Sequence, residues 1–217
     1  MIAVVDYGAG NLASVVKALQ HLGQECVVTS DPDIVGRAAK WIIPGVGNFK
    51  VTAPLANGKL GAVLRKGIGK ELETPTPAKP ARVGHPAHGQ GQKPLLGICL
   101  GLQWMFEGSS EAPELSGLGV FAGRCTRFSN AVKSPHVGWD SLAMTGESRL
   151  LRGIPSGAYV YFTHSYRAPV CTDTVATSAY EEPFTAAVER GNLFGVQFHP
   201  EKSGDVGMQI LENFCAL

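Results

Sequence analysis

The sequence lacks a charge surplus of either sign, and it lacks any apolar run long enough to cross a membrane. It carries 19 Lys and Arg residues against 18 Asp and Glu residues, a formal net charge of +1. This balance gives no electrostatic reason to expect nucleic acid or an anionic membrane as a partner. A membrane-spanning helix needs about 20 apolar residues in succession, and no run approaches that length. The opening MIAVVDYGAGN has neither the basic nor the long apolar region of a signal peptide, so we expect a cytoplasmic protein.

Paired cysteine motifs are also missing. The chain has five cysteines, an odd number, and no two of them are spaced as C-x-x-C. This pattern argues against a disulfide framework and against a structural zinc site. We therefore expect reduced thiols, as in a cytosolic protein, and no metal centre.

The composition is that of a folded chain with a sizeable core. Its 217 residues suit one domain, and 44% of them are hydrophobic. The segments IAVVDYGAGN, NLASVVKALQHLGQ, ECVVTS and WIIPGVGNF alternate between strand and helix patterns, with Asn11 as the expected N-cap of the first helix. The fold class is therefore α/β, with a mostly parallel central sheet flanked by helices. In such sheets the working loops follow the carboxyl ends of the strands, which singles out DYGAGN, PGVGNF and CLGLQ.

The residue composition and apolar pattern change twice along the chain. Residues 70–93 combine four prolines with several glycines, which predicts an exposed inserted loop within the single domain 1–217. The preceding GKLGAVLRKGIGKEL contains four glycines, so we expect a short and marginal helix there. After Phe106, short alternating runs predict a β-rich C-terminal half. The chain closes with a helix whose buried face would carry Met208, Leu211 and Phe214.

Cys99 lies where the strand pattern PLLGI meets the helix pattern LGLQWMF. A cysteine on a strand-to-helix turn stands above the sheet near the positive end of a helix dipole, which favours a thiolate. Gly97 and Gly101 would give the close packing that such a turn demands. The alternative is a buried, inert cysteine, which is common in protein cores.

GVQFHPEKSG offers the base that a nucleophilic thiol needs. Pro200 favours an extended conformation for His199, and in an extended chain His199 and Glu201 point to the same side. A polar surface turn is the alternative.

PGVGN, residues 44–48, follows the third strand, and its glycines allow a backbone N–H to face a developing oxyanion. An ordinary turn is again the alternative, whereas the motifs of phosphate-binding loops are missing.

Together, PGVGNF, GICLGLQ and VQFHPEKSG resemble the class I (triad) glutamine amidotransferases, and the resemblance covers nearly the whole chain apart from the Pro-rich stretch. DYGAGNL, HVGWD and YFTHSY make it most similar to glutaminase subunits that serve a (β/α)8-barrel cyclase in histidine biosynthesis. The resemblance implies that Cys99 attacks the glutamine side-chain amide and forms a thioester. It implies that His199 moves the proton, that Glu201 orients His199, and that the backbone at Val46 and Gly47 forms the oxyanion hole.

The resemblance also implies contacts with substrate and partner. The positions that hold L-glutamine are Gln103, Glu111, His164, Ser165 and Tyr166. The positions that face the cyclase subunit of the heterodimer are Asn11, Trp139, Tyr161 and Lys202. It implies no cofactor. Ammonia would pass to the cyclase, which makes imidazole glycerol phosphate and an aminoimidazole carboxamide ribotide.

Two other functions stay open at this point. One is the glutaminase subunit of another amidotransferase, serving anthranilate, aminodeoxychorismate or pyridoxal phosphate synthesis. The other is a catalytically silent regulatory subunit, although such a protein need not retain the cysteine, histidine and glutamate. Since free ammonia is wasted in water, we also expect Gly45–Val46–Gly47 to be poorly arranged for catalysis in the isolated chain.

Overall fold

The fold is organised by one eight-stranded sheet, seen in a computed structural model that describes residues 1–69 and 92–217. All but the last two residues of the predicted inserted loop, 70–93, lie outside this range. The strands are β1 (Ile2–Val5), β2 (Cys26–Thr29), β3 (Lys40–Gly45), β4 (Leu95–Cys99), β5 (Phe106–Ser109), β6 (Phe121–Arg127), β7 (His136–Ser141), β8 (Ala143–Met144), β9 (Tyr159–His164), β10 (Tyr166–Arg167), β11 (Thr174–Ala179), β12 (Pro183–Arg190) and β13 (Leu193–Val196).

The large sheet has the strand order β2-β1-β3-β4-β13-β12-β11-β8. Its first five strands are parallel, and β12, β11 and β8 continue it in antiparallel fashion. The two smaller sheets have the orders β10-β6-β5 and β7-β9. The predicted α/β class, the mostly parallel sheet and the β-rich C-terminal half are therefore confirmed.

Helices cover both faces of the large sheet. They are α1 (Leu12–His21), α2 (Pro32–Arg37), α3 (Ala53–Asn57), α4 (Lys59–Ile68), α5 (Leu100–Met105) and α6 (Gly204–Cys215). Successive residues of a strand point to opposite faces. Ile2 and Val4 accordingly join a core layer with α1 and α6, whereas Ala3 and Val5 join a second layer with α2 and α4. Within residues 1–69 and 92–217, no helix has the length and apolar character to cross a membrane.

Two helix details differ from the sequence-based expectation. Asn11 does occupy the N-cap position of α1, but its side chain makes no capping hydrogen bond. In α6, Leu211 and Phe214 are buried as expected, while Met208 is only partly buried and Ile210 is fully buried instead. The helical spacing of apolar residues therefore identified the correct face of α6. The centre of the buried face lies farther from Met208 than that spacing predicted.

The glycines of α4 belong to close contacts within the structure. α4 is ten residues long and buries Leu60, Leu64 and Ile68. A Cβ atom on Gly61 would lie 1.8 Å from the Leu55 carbonyl oxygen, and one on Gly67 would lie 2.1 Å from the Trp41 ring. Glycine lowers helix propensity, but here it allows α4 to pack against α3 and β3.

We predict that Gly67→Ala destabilises the protein, although alanine is the better helix former. The added methyl group overlaps the buried Trp41 ring, and overpacking of this kind costs about 1–3 kcal/mol. The measurement is the free energy of unfolding in urea. Gly146→Ala is the matched control, because nothing lies within 4 Å of its added Cβ atom. A Gly67→Ala variant as stable as the Gly146→Ala variant contradicts the prediction.

Candidate active site

A strained turn presents Cys99 at the junction of β4 and α5. Cys99 has φ 53° and ψ −103°, and it is the only non-glycine residue with positive φ in the described part of the chain. A Cβ atom on Gly97 would lie 2.7 Å from the Gly101 backbone, and one on Gly101 would lie 1.9 Å from the Ile43 carbonyl oxygen. The expectation that Gly97 and Gly101 make room for a sharp turn is confirmed. Strain at a single residue of this kind is typical of functional sites.

The strands beside β4 bring two sequence-distant segments to the same place. β4 lies between β3 and β13, and Gly45 is the register partner of Cys99. PGVGN is therefore at the Cys99 end of the sheet, as predicted. Gly47 follows with φ +100°, a conformation that favours glycine. On the other side, Val196 is the register partner of Ile98, so the chain leaving β13 passes beside the thiol.

His199 and Glu201 form a buried pair. The distance between His199 Nδ1 and Glu201 Oε1 is 2.8 Å, and both side chains are almost fully buried. His199 is extended, with φ −101° and ψ 97°, but Pro200–Lys202 forms a short 3-10 helix. The expectation of a continuous extended segment was therefore wrong. The turn is held by Ser203, whose Oγ donates to the His199 carbonyl oxygen at 2.6 Å.

The charge balance at His199 favours its protonated form. Burial lowers the pKa of His199, but its interactions with Cys99 and with Glu201 outweigh burial and raise that pKa to about 10. His199 Nε2 is buried and has no hydrogen-bond partner within the described part of the chain. A cationic imidazole beside a thiol is the arrangement that activates cysteine for nucleophilic attack.

A cavity of about 360 Å³ opens at this end of the sheet. The predicted site residues that line it are Val46, Gly47, Cys99, Gln103, Glu111, His164, Ser165 and Tyr166. Leu100, Pro135 and Thr163 complete the lining. His199 and Glu201, whose side chains are almost fully buried, do not line the cavity themselves. Within the described ranges, no group of three or more His, Cys, Asp or Glu residues is placed to hold a metal ion.

The predicted glutamine-binding residues already make internal hydrogen bonds. Glu111 Oε2 accepts from the Phe49 N–H at 2.7 Å, which ties Glu111 to the chain just after PGVGN. Gln103 Nε2 donates to the Tyr166 carbonyl oxygen at 2.8 Å. His164 Nδ1 donates to the same oxygen at 2.9 Å. The Tyr166 carbonyl oxygen thus accepts two hydrogen bonds and fixes the side chains on both sides of it.

His164 is a neutral imidazole. Burial is the main cause that lowers the pKa of His164 to about 3. The Tyr166 hydrogen bond opposes it, and the nearby His136, His199 and Arg167 add to it. Because Nδ1 donates to Tyr166, Nε2 is the acceptor, and it lies 3.3 Å from His136 Nδ1. His164 can therefore position its strand but carries no positive charge for a substrate carboxylate.

Two buried residues that contact the site were not among the predicted site residues. Gln197 is fully buried, and its Nε2 lies 3.6 Å from Cys99 Sγ. His136 packs between the Phe162 and Tyr180 rings and contacts His164. Gln197 was detectable in principle, because it lies two positions before His199 and so shares its side of an extended segment. His136 begins the HVGWD motif, but no local pattern indicates that it contacts His164.

Three of the four predicted partner-facing residues lie together. The Trp139 and Tyr161 ring centroids are 6.0 Å apart, and Lys202 Nζ lies 5.9 Å from the Tyr161 ring centroid. Trp139 is 55% exposed. Asn11 lies at the start of α1, which packs against the Pro200–Lys202 turn. This group is on the outer face of β7 and β9.

Comparison with known proteins now adds to the geometry. The family model for glutamine amidotransferase class-I matches residues 3–217. The chain belongs to the class I glutamine amidotransferases. It is therefore an enzyme of the glutaminase type.

The chain is also similar to curated members of this family over its whole length. Imidazole glycerol phosphate synthase subunit HisH of Thermococcus kodakarensis is 48% identical, with all of both chains covered. The protein of the same name from Bacillus cereus is 40% identical over 99% of this chain and 93% of its own length.

Solved structures agree on the fold of this amidotransferase. A crystal structure of a glutamine amidotransferase superposes with a TM-score of 0.70 at 17% identity, covering 99% of this chain and 100% of that one. The structure of PurLQS from Thermotoga maritima gives a TM-score of 0.68 at 18% identity, covering 99% and 97%. At these identities the likeness concerns the fold alone.

We predict that Glu201→Gln lowers the pKa of His199. The carboxylate stabilises the imidazolium, and losing an opposite charge at this distance shifts a pKa by about 1–3 units. Ring-nitrogen NMR on labelled histidine measures the titration directly, with His164 in the same spectrum as a residue that stays neutral near pH 5. Glu212→Gln, an exposed change on α6, is the control. An unmoved His199 titration in Glu201→Gln rules the prediction out.

Proposed function

We propose that this amidotransferase is the glutaminase subunit of an imidazole glycerol phosphate synthase. It hydrolyses L-glutamine to glutamate and ammonia, and it passes the ammonia to a (β/α)8-barrel cyclase subunit in histidine biosynthesis. The observation that carries the proposal is the site itself: a thiol on a strained turn and a histidine–glutamate pair beside one cavity. Relatives named for this synthase, 40–48% identical over nearly the whole chain, support the choice of acceptor.

In the proposed reaction Cys99 is the nucleophile. Its thiolate, paired with the protonated imidazole of His199, attacks the side-chain amide carbon of glutamine. The tetrahedral intermediate collapses with cleavage of the C–N bond, and His199 gives its proton to the departing ammonia. Water then hydrolyses the thioester, with His199 as the base, to release glutamate. Glu201 holds the imidazole through the 2.8 Å contact at Nδ1, so that Nε2 serves the reaction.

Developing negative charge on the amide oxygen needs donors at the cavity wall. We assign this role to the backbone at Val46 and Gly47, which line the cavity next to Cys99. We further propose that this turn is poorly arranged until the partner is loaded. Val46 is 40% exposed and Gly47 has a conformation open to few other residues, which suits a segment that rearranges.

The remaining lining residues are proposed to hold the substrate. The cavity volume falls within the usual range for small-molecule sites. Both hydrogens of the Gln103 amide are engaged within the protein, which leaves its oxygen to accept from glutamine. The Glu111 carboxylate supplies negative charge for the substrate ammonium group. Ser165 and Tyr166, which follow His164 in the chain, complete the amino-acid end of the site.

The proposed cyclase interface is the outer face of β7 and β9. Val137, Trp139 and Tyr159 are exposed and Tyr161 is partly exposed, and the strand register places all four on one side of the strand pair. Clustered exposed aromatic residues are typical of protein interfaces. A heterodimer formed through this face, together with Lys202 and Asn11, keeps ammonia away from water. A cytoplasmic location belongs to the same proposal, because the thiol must stay reduced.

The decisive experiment mixes the protein with a barrel cyclase and its ribotide substrate and measures glutamine hydrolysis. We expect strong stimulation over the isolated chain, and loss of hydrolysis to background in Cys99→Ala. Synthesis from added free ammonia should continue in the Cys99→Ala complex, which shows that the variant still folds and binds. Equal rates for the isolated and loaded protein would remove the proposed control by the oxyanion turn. No effect of this cyclase would favour a different acceptor, such as chorismate.

We also predict that Trp139→Ala weakens binding to the cyclase by about 30-fold or more, because buried aromatic anchors contribute about 2 kcal/mol or more at interfaces. Titration calorimetry measures the dissociation constant. Val28→Ala, an exposed apolar residue on the edge strand β2, is the control and should bind like the wild type. Wild-type affinity in Trp139→Ala would place the interface elsewhere.

A further inference from the structure

Gln197 is a fully buried amide held between the thiol and a side chain of the cavity wall. Its Nε2 lies 3.6 Å from Cys99 Sγ, and its Oε1 accepts from Gln103 Nε2 at 3.2 Å. Burying an amide is costly unless its polar atoms are paired. Both ends of this amide have partners, and one of these partners is the proposed nucleophile.

A backbone carbonyl sets the donor–acceptor direction of the hydrogen bonds that link Gln103, Gln197 and Cys99. The Tyr166 carbonyl oxygen can only accept, so the Gln103 atom that faces it at 2.8 Å is the amide nitrogen. The second hydrogen of that nitrogen points to Gln197, so the facing atom of Gln197 is its oxygen. The nitrogen of Gln197 is then necessarily directed at the sulfur.

We propose that Gln197 stabilises the Cys99 thiolate by donating a hydrogen bond to it, with Gln103 and the Tyr166 carbonyl fixing the orientation. The inference rests on the proposed role of Cys99 as the nucleophile. Hydrogen bonds to an ionised group are the stronger ones, so the contact is strongest while Cys99 is a thiolate paired with the protonated His199. This hydrogen bond weakens again when the thioester forms. It therefore stabilises the attacking thiolate rather than the thioester.

Other groups around the sulfur do not supply this donor. The Thr163 carbonyl oxygen, 3.9 Å from Sγ, can only accept. Burial, with a further contribution from Cys99, raises the pKa of Tyr7 well above its usual value, and its buried neutral hydroxyl makes no hydrogen bond to the sulfur or to any other described residue. His199 is the cation that faces the thiol, and Glu201 lies on its far nitrogen. The sulfur therefore faces two donors: the proton of His199, which moves during the reaction, and the neutral Gln197 amide, which stays fixed.

The test is the pH dependence of Cys99 alkylation by iodoacetamide, followed by mass spectrometry of the peptide that contains Cys99. Methionine matches glutamine in length but cannot donate. We expect the midpoint of the alkylation profile in Gln197→Met to move to higher pH by about 1–2 units, the equivalent of one hydrogen bond to a charged group. Gln209→Met, on the exposed side of α6, is the matched control and should keep the wild-type midpoint.

Gln103→Met is the second variant, because it removes the orienting partner without touching the sulfur. It should shift the midpoint in the same direction by a smaller amount. An unchanged midpoint in a folded Gln197→Met variant overturns the proposal. If that variant does not fold, an unchanged midpoint in Gln103→Met does so. The assay needs neither glutamine nor cyclase. An unchanged alkylation midpoint therefore contradicts the role of Gln197 even when the wild type hydrolyses glutamine. Absence of glutaminase activity in the wild type contradicts the proposed function even when the midpoint shifts.

Discussion

The site depends on one steric constraint, the approach of two glycine backbones beneath Cys99. Gly97 leaves no space for a side chain against Gly101, and Gly101 leaves none against the Ile43 carbonyl oxygen. α5 can therefore start directly above β4 and close to β3. The chain makes this change of direction within one residue, and Cys99 takes up the resulting positive φ. The thiol is thus held at a point where the ends of β3 and β13 are both within reach.

A second organising element is the Tyr166 carbonyl oxygen. It accepts hydrogen bonds from Gln103 and from His164, so one backbone atom orients an amide on one side and selects a tautomer on the other. His164 in turn faces His136, which is stacked among aromatic rings. The polar wall of the cavity is thereby linked to an apolar cluster between the sheets. Such a connected hydrogen-bond network keeps its members in fixed geometry.

Much of this arrangement follows from local sequence patterns. Alternating strand and helix signals identified the parallel sheet, and its topology alone places PGVGN beside Cys99. The His199–Glu201 pair was also expected, but through an extended chain, since nothing local indicates that Ser203 holds a 3-10 turn. The glycines of α4 were counted as a cost because their contacts with Leu55 and Trp41 are tertiary. The missing capping bond of Asn11 and the partial burial of Met208 likewise depend on tertiary neighbours. Helix propensity and apolar periodicity do not describe those neighbours.

The position of β13 has a consequence for how the molecule matures. Cys99 and Gln197 are 98 residues apart in the chain, and the β4–β13 pairing brings them together. Long-range parallel pairing is slow to form compared with local structure. During synthesis, Cys99 emerges from the ribosome long before its histidine and glutamine neighbours do. A nascent or partly folded chain consequently carries Cys99 without His199 and Gln197 beside it, and this cluster is complete only when β13, the last strand of the sheet in chain order, has docked.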